Sequence, residues 1–457
     1  MKTMKRRMEY FSFFNHTGIE AHLAKMAKKG WMIESISNVY WTYRKIEPKD
    51  IHFSASYYPR ASDFDPSPTE EQQTFHDFCA HTGWKLACTW FQMQVFYSEN
   101  ESPIPLDTDP IMEVDTVHRA CKKNFLIGYF LILAVGFLMS AYSLAGIYFA
   151  PIDFLSSSSK MVILLGCLSM FVLALVELVA YFTWYVKAKK AAQDGIFVDT
   201  PSTGKFQQVV VGLLLFVMAW WIVNLFAAGD PLKGWIAIIN FLITFGVIFL
   251  VNFIKQGLKK AKASRGLNRF LTFAACFILP VIFTVTLVFV GIAAVEKGWI
   301  SSDNTIEDAI PFSLQDFIEI GETNYTLYDR TNQTMILEQL VVNHHPSPII
   351  MENGNTATLR YIVTTINIPS MYEWCAKQIF RDLDETNNNV PKGHRNIYQE
   401  IDASPWGANT AYRLYHEEGW WTNTYLLCYD NQIIEIHFGW VPTSEDMAIV
   451  NQKLNCS

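Results

Sequence analysis

Glu177 stands in Val176-Glu177-Leu178, inside a long hydrophobic run from Met161 to Val186 that has no other charged residue. A charged side chain in the middle of a hydrocarbon layer costs roughly 2.5–3.5 kcal/mol on insertion scales. A carboxyl here therefore implies a proton or cation role, a helix–helix hydrogen bond, or a protonated acid held within a bundle. No Lys, Arg or His falls at matching depth in another apolar run, so no ion pair offers itself. About ten residues separate Glu177 from Lys187, which puts the carboxyl near the midplane or slightly to its inner side. Asn224 and Asn240 flank a short connection between two later runs. A cross-helix amide pair worth about 0.6–2 kcal/mol is the economical chemistry for them.

Three cysteines, Cys375, Cys428 and Cys456, lie after the last apolar run. If that region is outside the cell, three thiols allow one disulfide in three pairings. The expected bridge is Cys375–Cys456, which ties the chain end to a helix and contributes about 3–5 kcal/mol in the chain-entropy model; three free thiols is the alternative. Cys79, Cys88, Cys121, Cys167 and Cys276 are expected to stay reduced. His344-His345 and His416-Glu417-Glu418 hint at metal, but neither has zinc-site spacing, and the chain holds no His-Glu-x-x-His. Gly-rich phosphate loops, Gly-x-Ser-x-Gly elbows and Cys-x-x-Cys pairs are also missing from the sequence. The expectation is a protein without enzymatic activity and without a cofactor.

The elements that must position these residues are set by five apolar runs: Phe125–Phe149, Met161–Val186, Phe206–Ala227, Trp235–Ile254 and Phe270–Val295. Each reaches or exceeds the roughly 20 residues that cross about 30 Å of hydrocarbon. Lys187, Lys189, Lys190 and Lys205 follow the second run, and Lys255, Lys259, Lys260, Lys262, Arg265 and Arg269 follow the fourth. The other two connections carry one cation each, Lys160 and Lys233. Cationic short loops stay cytoplasmic, so the N-terminus is expected inside and the region after Val295 outside. Lys2, Lys5, Arg6 and Arg7 resemble a leader, yet Glu9 and Asn15 arrive before an apolar core forms, so no signal peptide is read. Pro280 is expected to kink the fifth run. The basic stretch 255–269 reads as an orientation signal, with anionic lipid headgroups as the other candidate partner.

Residues 8–97 read as aromatic strands alternating with two helices. Tyr10–Phe14 reads as a first strand, followed by a helix capped by Asn15 or Thr17 and closed at Lys28-Lys29-Gly30. The order helix–Gly–Trp–strand–strand occurs at Gly30-Trp31 and again at Gly83-Trp84. Two such units imply a four- to six-stranded antiparallel sheet with both helices on one face, a ferredoxin-like or related α+β sandwich. Each Trp is expected to plug its helix–sheet core. A helical stalk over 107–124 has Asp107, Asp109, Glu113 and Asp115 at its start and Arg119, Lys122 and Lys123 at its end.

The helix ending Lys28-Lys29-Gly30-Trp31, the aromatic strands behind it, Gly83-Trp84 and Leu106-Asp107-Thr108-Asp109 together resemble a bacterial membrane family catalogued as domain of unknown function 2812. The resemblance covers roughly residues 8–125. Its members are often encoded beside PadR-type transcriptional regulators, which implies a regulated envelope function. It carries no activity and no functional residues to transfer.

From Glu296 on, acidic residues outnumber basic ones by 22 to 9, and the pattern is α+β. A strand is read over Ala357–Ile366, a helix opening at Pro369-Ser370, a three-strand meander from Thr410 to Trp440, and a helix capped by Ser444. The domains expected are therefore 1–106 (cytoplasmic), 107–124 (stalk), 125–295 (membrane body) and 296–457 (outer). The expected partners are the lipid bilayer and a protein at the cytoplasmic domain, with no direct nucleic-acid contact. A sensor or coupling protein and a transporter using Glu177 are the two functions left open.

Overall fold

A computed structural model describes residues 3–37, 40–227, 231–297, 310–318, 325–346 and 357–455. The described residues form two compact units: 1–140 with 165–293, and 141–164 with 294–457.

The first unit begins with β1 (Met4–Arg7), α1 (His16–Lys28), β2 (Trp31–Ile36) and β3 (Trp41–Lys45). It continues with β4 (His52–Tyr57), α2 (Glu70–His81), β5 (Lys85–Trp90) and β6 (Met93–Ser98). The expected repeat is present, and it is larger than helix–strand–strand. Each copy is βαββ, with antiparallel order β1-β3-β2 in one and β4-β6-β5 in the other. After each helix a glycine adopts positive φ, +80° at Gly30 and +89° at Gly83, a conformation that L side chains adopt at a cost. A β-bulge then falls at the same offset in both copies, between Ile33 and Ser35 and between Leu86 and Cys88.

Two expectations are corrected here. The sheet is not single: β2 and β5 run beside each other without a registered ladder, leaving two three-stranded sheets. The first strand is β1, and Tyr10–Asn15 is no strand; its Phe13 and Phe14 are aromatic because they are buried in the core. α1 is capped by the Asn15 side chain, and its Ile19, Leu23, Met26 and Ala27 pack on β2 and β4. Of the two repeated tryptophans, Trp84 is buried beside Cys79 and Phe96, with its Nε1 donating to the Ile104 carbonyl. Trp31 is only half-buried, under the Lys5 ammonium at 5.3 Å.

α3 (Pro110–Lys123) is capped by Asp109 and carries Glu113 in its first turn and Lys122 and Lys123 in its last, complementing the helix dipole. It does not stand free as a stalk, because Val114, Val117, Ala120 and Cys121 join the same core as α1. Then come α4 (Phe125–Phe149), α5 (Pro151–Leu155), α6 (Ser158–Gln193), α7 (Gly204–Ala227), α8 (Pro231–Lys260) and α9 (Arg265–Glu296). Five of these, α4 and α6 to α9, are long and apolar enough to cross a membrane. α4 and α6 approach closely where Gly136 meets the Phe171 backbone; a Cβ there would sit 3.1 Å from it. α9 is continuous through Pro280.

The second unit holds a seven-stranded antiparallel sheet. Its strands are β7 (Tyr325–Gln333), β8 (Leu337–Pro346), β9 (Leu359–Ile366), β10 (Asn396–Ile401), β11 (Thr410–His416), β12 (Trp420–Cys428) and β13 (Gln432–Phe438), in the order β10-β11-β12-β13-β9-β8-β7. The expected meander β11–β13 lies in it, β10 flanking it on one side and the expected strand β9, followed by β8 and β7, on the other. α10 (Tyr372–Asn388) buries Cys375 and Ile379 on the β12–β13 side chains Leu426, Cys428 and Ile433. α11 (Ser444–Asn455) packs Val450 and Leu454 into a separate core with Trp406, Tyr425 and Phe438. α5 is built into this unit: Ile152, Phe154 and Leu155 share the α10 core, and the Ile152 N–H donates to Gln378 Oε1 at 2.7 Å.

Candidate functional site

The segment Phe11–His16 is held by three membrane-type helices and the chain between two of them. Phe14 is fully buried, its ring edge-on to Phe125 and Tyr181 at 5.3 and 5.4 Å between centroids, with Trp184 at 6.1 Å. The Phe13 carbonyl accepts from Tyr57 Oη at 2.6 Å. Gly204, the first residue of α7, lies so close to the Tyr10 carbonyl that a Cβ would come within 2.3 Å of it.

Within this seat Glu177 finds its partners. Ser12 Oγ donates to Glu177 Oε2 at 2.5 Å, and Gln207 Nε2 donates to Oε1 at 2.7 Å. Thr203 Oγ1 lies 2.7 Å from Ser12 Oγ and 3.2 Å from Gln207 Nε2. Both oxygens of this fully buried carboxyl act as acceptors, which answers the cost of burying it. Beside it, Thr200 donates its backbone N–H to Thr17 Oγ1 at 3.0 Å and its hydroxyl to Asn15 Oδ1 at 2.8 Å. Glu177 therefore bonds the segment before α1 and the start of α7. Sequence reasoning missed Ser12, Thr203 and Gln207. The signal was the polar Ser12 and Asn15 inside an aromatic run, and Gln207 one turn into the third apolar helix.

A second contact ties the β4–α2 connection to the α8–α9 connection. Arg265 grips Asp65 with two 2.6 Å bonds, Lys255 Nζ reaches Asp63 Oδ2 at 2.6 Å, and Asn268 Nδ2 donates to the Phe64 carbonyl at 3.2 Å. Lys255 and Arg265 of the basic stretch thus have protein carboxylates as partners.

Between α1, β4, α3 and residues 197–199 lies an open cleft of about 670 Å3. Its walls carry Glu20, Asp107, Glu113 and His16, none of which the sequence singled out as a site. His16 Nε2 meets Glu113 Oε1 at 2.7 Å, and Nδ1 meets the Phe14 carbonyl at 3.2 Å. Burial pulls the His16 pKa down, but the hydrogen bond and charge of Glu113, with Glu20 behind it, outweigh burial and hold it above the ordinary value. Burial raises the carboxyls of Glu20 and Asp107.

The remaining sequence candidates are dispersed. Asn240 is exposed and donates to the Ile236 carbonyl of its own helix at 2.9 Å, while the side chain of Asn224 lies outside the described residues. Cys375 and Cys428 are buried in one core, with burial pushing the Cys375 thiol up to about 11; Cys456, and with it the expected bridge, lies outside the described residues. His344 and His345 fall in β8, and their side chains lie outside the described residues. His416 stacks on Trp420 at 4.0 Å. Among the described residues no three His, Cys, Asp or Glu side chains gather to hold a metal ion.

Comparison with curated proteins and with solved structures finds no match. The N-terminal region does find one: residues 15–131, from the cap of α1 into α4, match the family described as protein of unknown function (DUF2812).

Proposed function

We propose that this is a non-enzymatic multi-pass membrane protein that couples an outer domain to a cytoplasmic, partner-binding domain. The observation that carries the reading is the Glu177 junction, which bonds the N-terminal domain to α6 and α7 through Ser12, Thr203 and Gln207. α6 is continuous for 36 residues, about 54 Å of helix. Its first turns share a core with α5 and α10, and its last turns hold Phe14. One helix of the chain thus belongs to both units, which supports the coupling reading. The orientation rests on charge: the N-terminal domain bonds the connections 187–205 and 255–269, the two richest in Lys and Arg.

A buried carboxyl in an apolar helix is the one observation that favours a transporter instead. The two readings part on Glu177→Gln. Coupling needs only the hydrogen bonds that glutamine keeps in large part, whereas proton or cation transport needs the acid, so abolished flux in that variant would favour transport. Sidedness is read by single cysteines at Glu47 and Asn389, labelled on intact cells with an impermeant maleimide. Labelling at 389 and not at 47 is expected, and the reverse pattern overturns the orientation. Coupling predicts that detergent extracts yield a partner with the full chain and lose it when residues 1–106 are removed; no partner in either case counts against it.

A further inference from the structure

We propose that His16 is a proton switch for the junction: its imidazolium pins the segment Ser12–His16 in its seat, and loss of that proton on alkalinisation releases it. This deepens the coupling reading and rests on it for its meaning, though not for its test.

Nδ1 of His16 faces a backbone carbonyl and Nε2 faces a carboxylate oxygen, and both partners only accept. A neutral imidazole has a single N–H and must leave one of these contacts as two lone pairs face to face. Only the doubly protonated ring makes both bonds. The side chain is only 6% exposed, at the wall of the cleft, so little water reaches the place of the missing donor. The two contacts are not equivalent in what they hold. Glu113 belongs to α3, while the Phe14 carbonyl belongs to the segment whose Ser12 donates to Glu177. Losing the proton therefore loosens either the α1–α3 contact or the local turn between His16 and Phe14, whose carbonyl keeps the His16 backbone N–H at 2.9 Å.

The surroundings favour the charged ring. His16 is the first residue of α1, where a cation opposes the helix dipole. Acids offset this from each neighbouring element: Glu20 from α1, Glu113 from α3 and Asp107 from the chain before α3, with Glu101 and Asp199 also on the cleft walls. His52 of β4 lines the same cleft, and the rings of Tyr57 and Trp184 lie 6.1 and 6.0 Å away. The raised pKa sets the sign. The seat is tightest below the unperturbed value of about 6.5 and loosens as pH rises from there, levelling off above the pKa of seated His16.

The test uses the full chain in lipid nanodiscs, with hydrogen exchange followed on peptides covering residues 10–17 and corrected for the intrinsic rate at each pH. The opening constant is expected to stay flat below about pH 6.5, to climb by up to tenfold per pH unit above it, and then to level. His16→Gln removes the climb, and Glu113→Gln moves the levelling to lower pH. A flat wild-type profile between pH 6 and 10, or the same climb in His16→Gln, overturns the proposal. If His16→Gln does not fold, an unmoved profile in Glu113→Gln does so. Partner capture is not involved, so a failed switch and a failed coupling reading are told apart.

Discussion

Replacing Glu177 separates hydrogen bonding from charge. In Glu177→Leu, Ser12 Oγ and Gln207 Nε2 each lose their shortest acceptor, at 2.5 and 2.7 Å. Both keep Thr203 Oγ1 as a second partner, so neither is orphaned outright. At about 1–2 kcal/mol for each weakened buried donor, the seat of residues 10–17 loses about 2–4 kcal/mol. That is roughly a 30- to 800-fold rise in its opening constant. Glu177→Gln fares differently. Its amide oxygen can face Gln207 Nε2 while its NH2 faces Ser12 Oγ, which turns its own proton to Thr203. The cost falls to about 1 kcal/mol, near fivefold. Hydrogen exchange on residues 10–17 of the full chain in nanodiscs reads the opening, and thermal unfolding in the same medium checks that the global fold is kept. Exchange in Glu177→Leu within twofold of wild type would refute the reasoning. So would equal damage from Gln and Leu, because the ionised acid itself would then be what matters.

Two further outcomes follow from neighbouring features. Asp65→Asn takes the charge from the two-bond contact with Arg265, whose carboxylate side is 11% exposed, and is expected to raise exchange across residues 60–68 by about fivefold, less at 1 M salt than at 0.1 M. Gly83→Ala meets a φ of +89° and places a Cβ 2.9 Å from Asn100 Nδ2; a loss of about 1–2 kcal/mol is expected as a lower midpoint of thermal unfolding, with an unchanged midpoint counting against the strain.

Patterns with a strong period were legible in the chain. The apolar runs marked the five long helices, their ends falling up to seven residues short, and Gly30-Trp31 with Gly83-Trp84 marked the repeat, because a positive-φ glycine after a helix is a local requirement. Long-range placement was not legible. Tyr10–Phe14 looks like a strand since aromatic residues suit strands and buried segments alike, and nothing local says that α6 is its neighbour. Glu177 was placed by counting from Lys187, yet α6 continues to Gln193, and its partners come from residues 12, 203 and 207. The Asp63 and Asp65 contacts were hidden for the same reason: a charge names the sign of its partner, not its address.

Those addresses also set a timetable. Ser12 must wait for Glu177, 165 residues later, and Asp65 for Arg265, 200 residues later. At about 5–20 residues per second of synthesis, the two waits last roughly 8–33 and 10–40 seconds. The N-terminal repeat is made first and seated last, with Phe14 lacking its helical cover of Phe125, Tyr181 and Trp184 in the meantime. Assembly then proceeds in chain order, Glu177 first, Thr200 to Gln207 next and the grip of Arg265 at the end. A chain that ends before α9 has the Ser12–Glu177 contact but lacks the grip of Arg265 on Asp65.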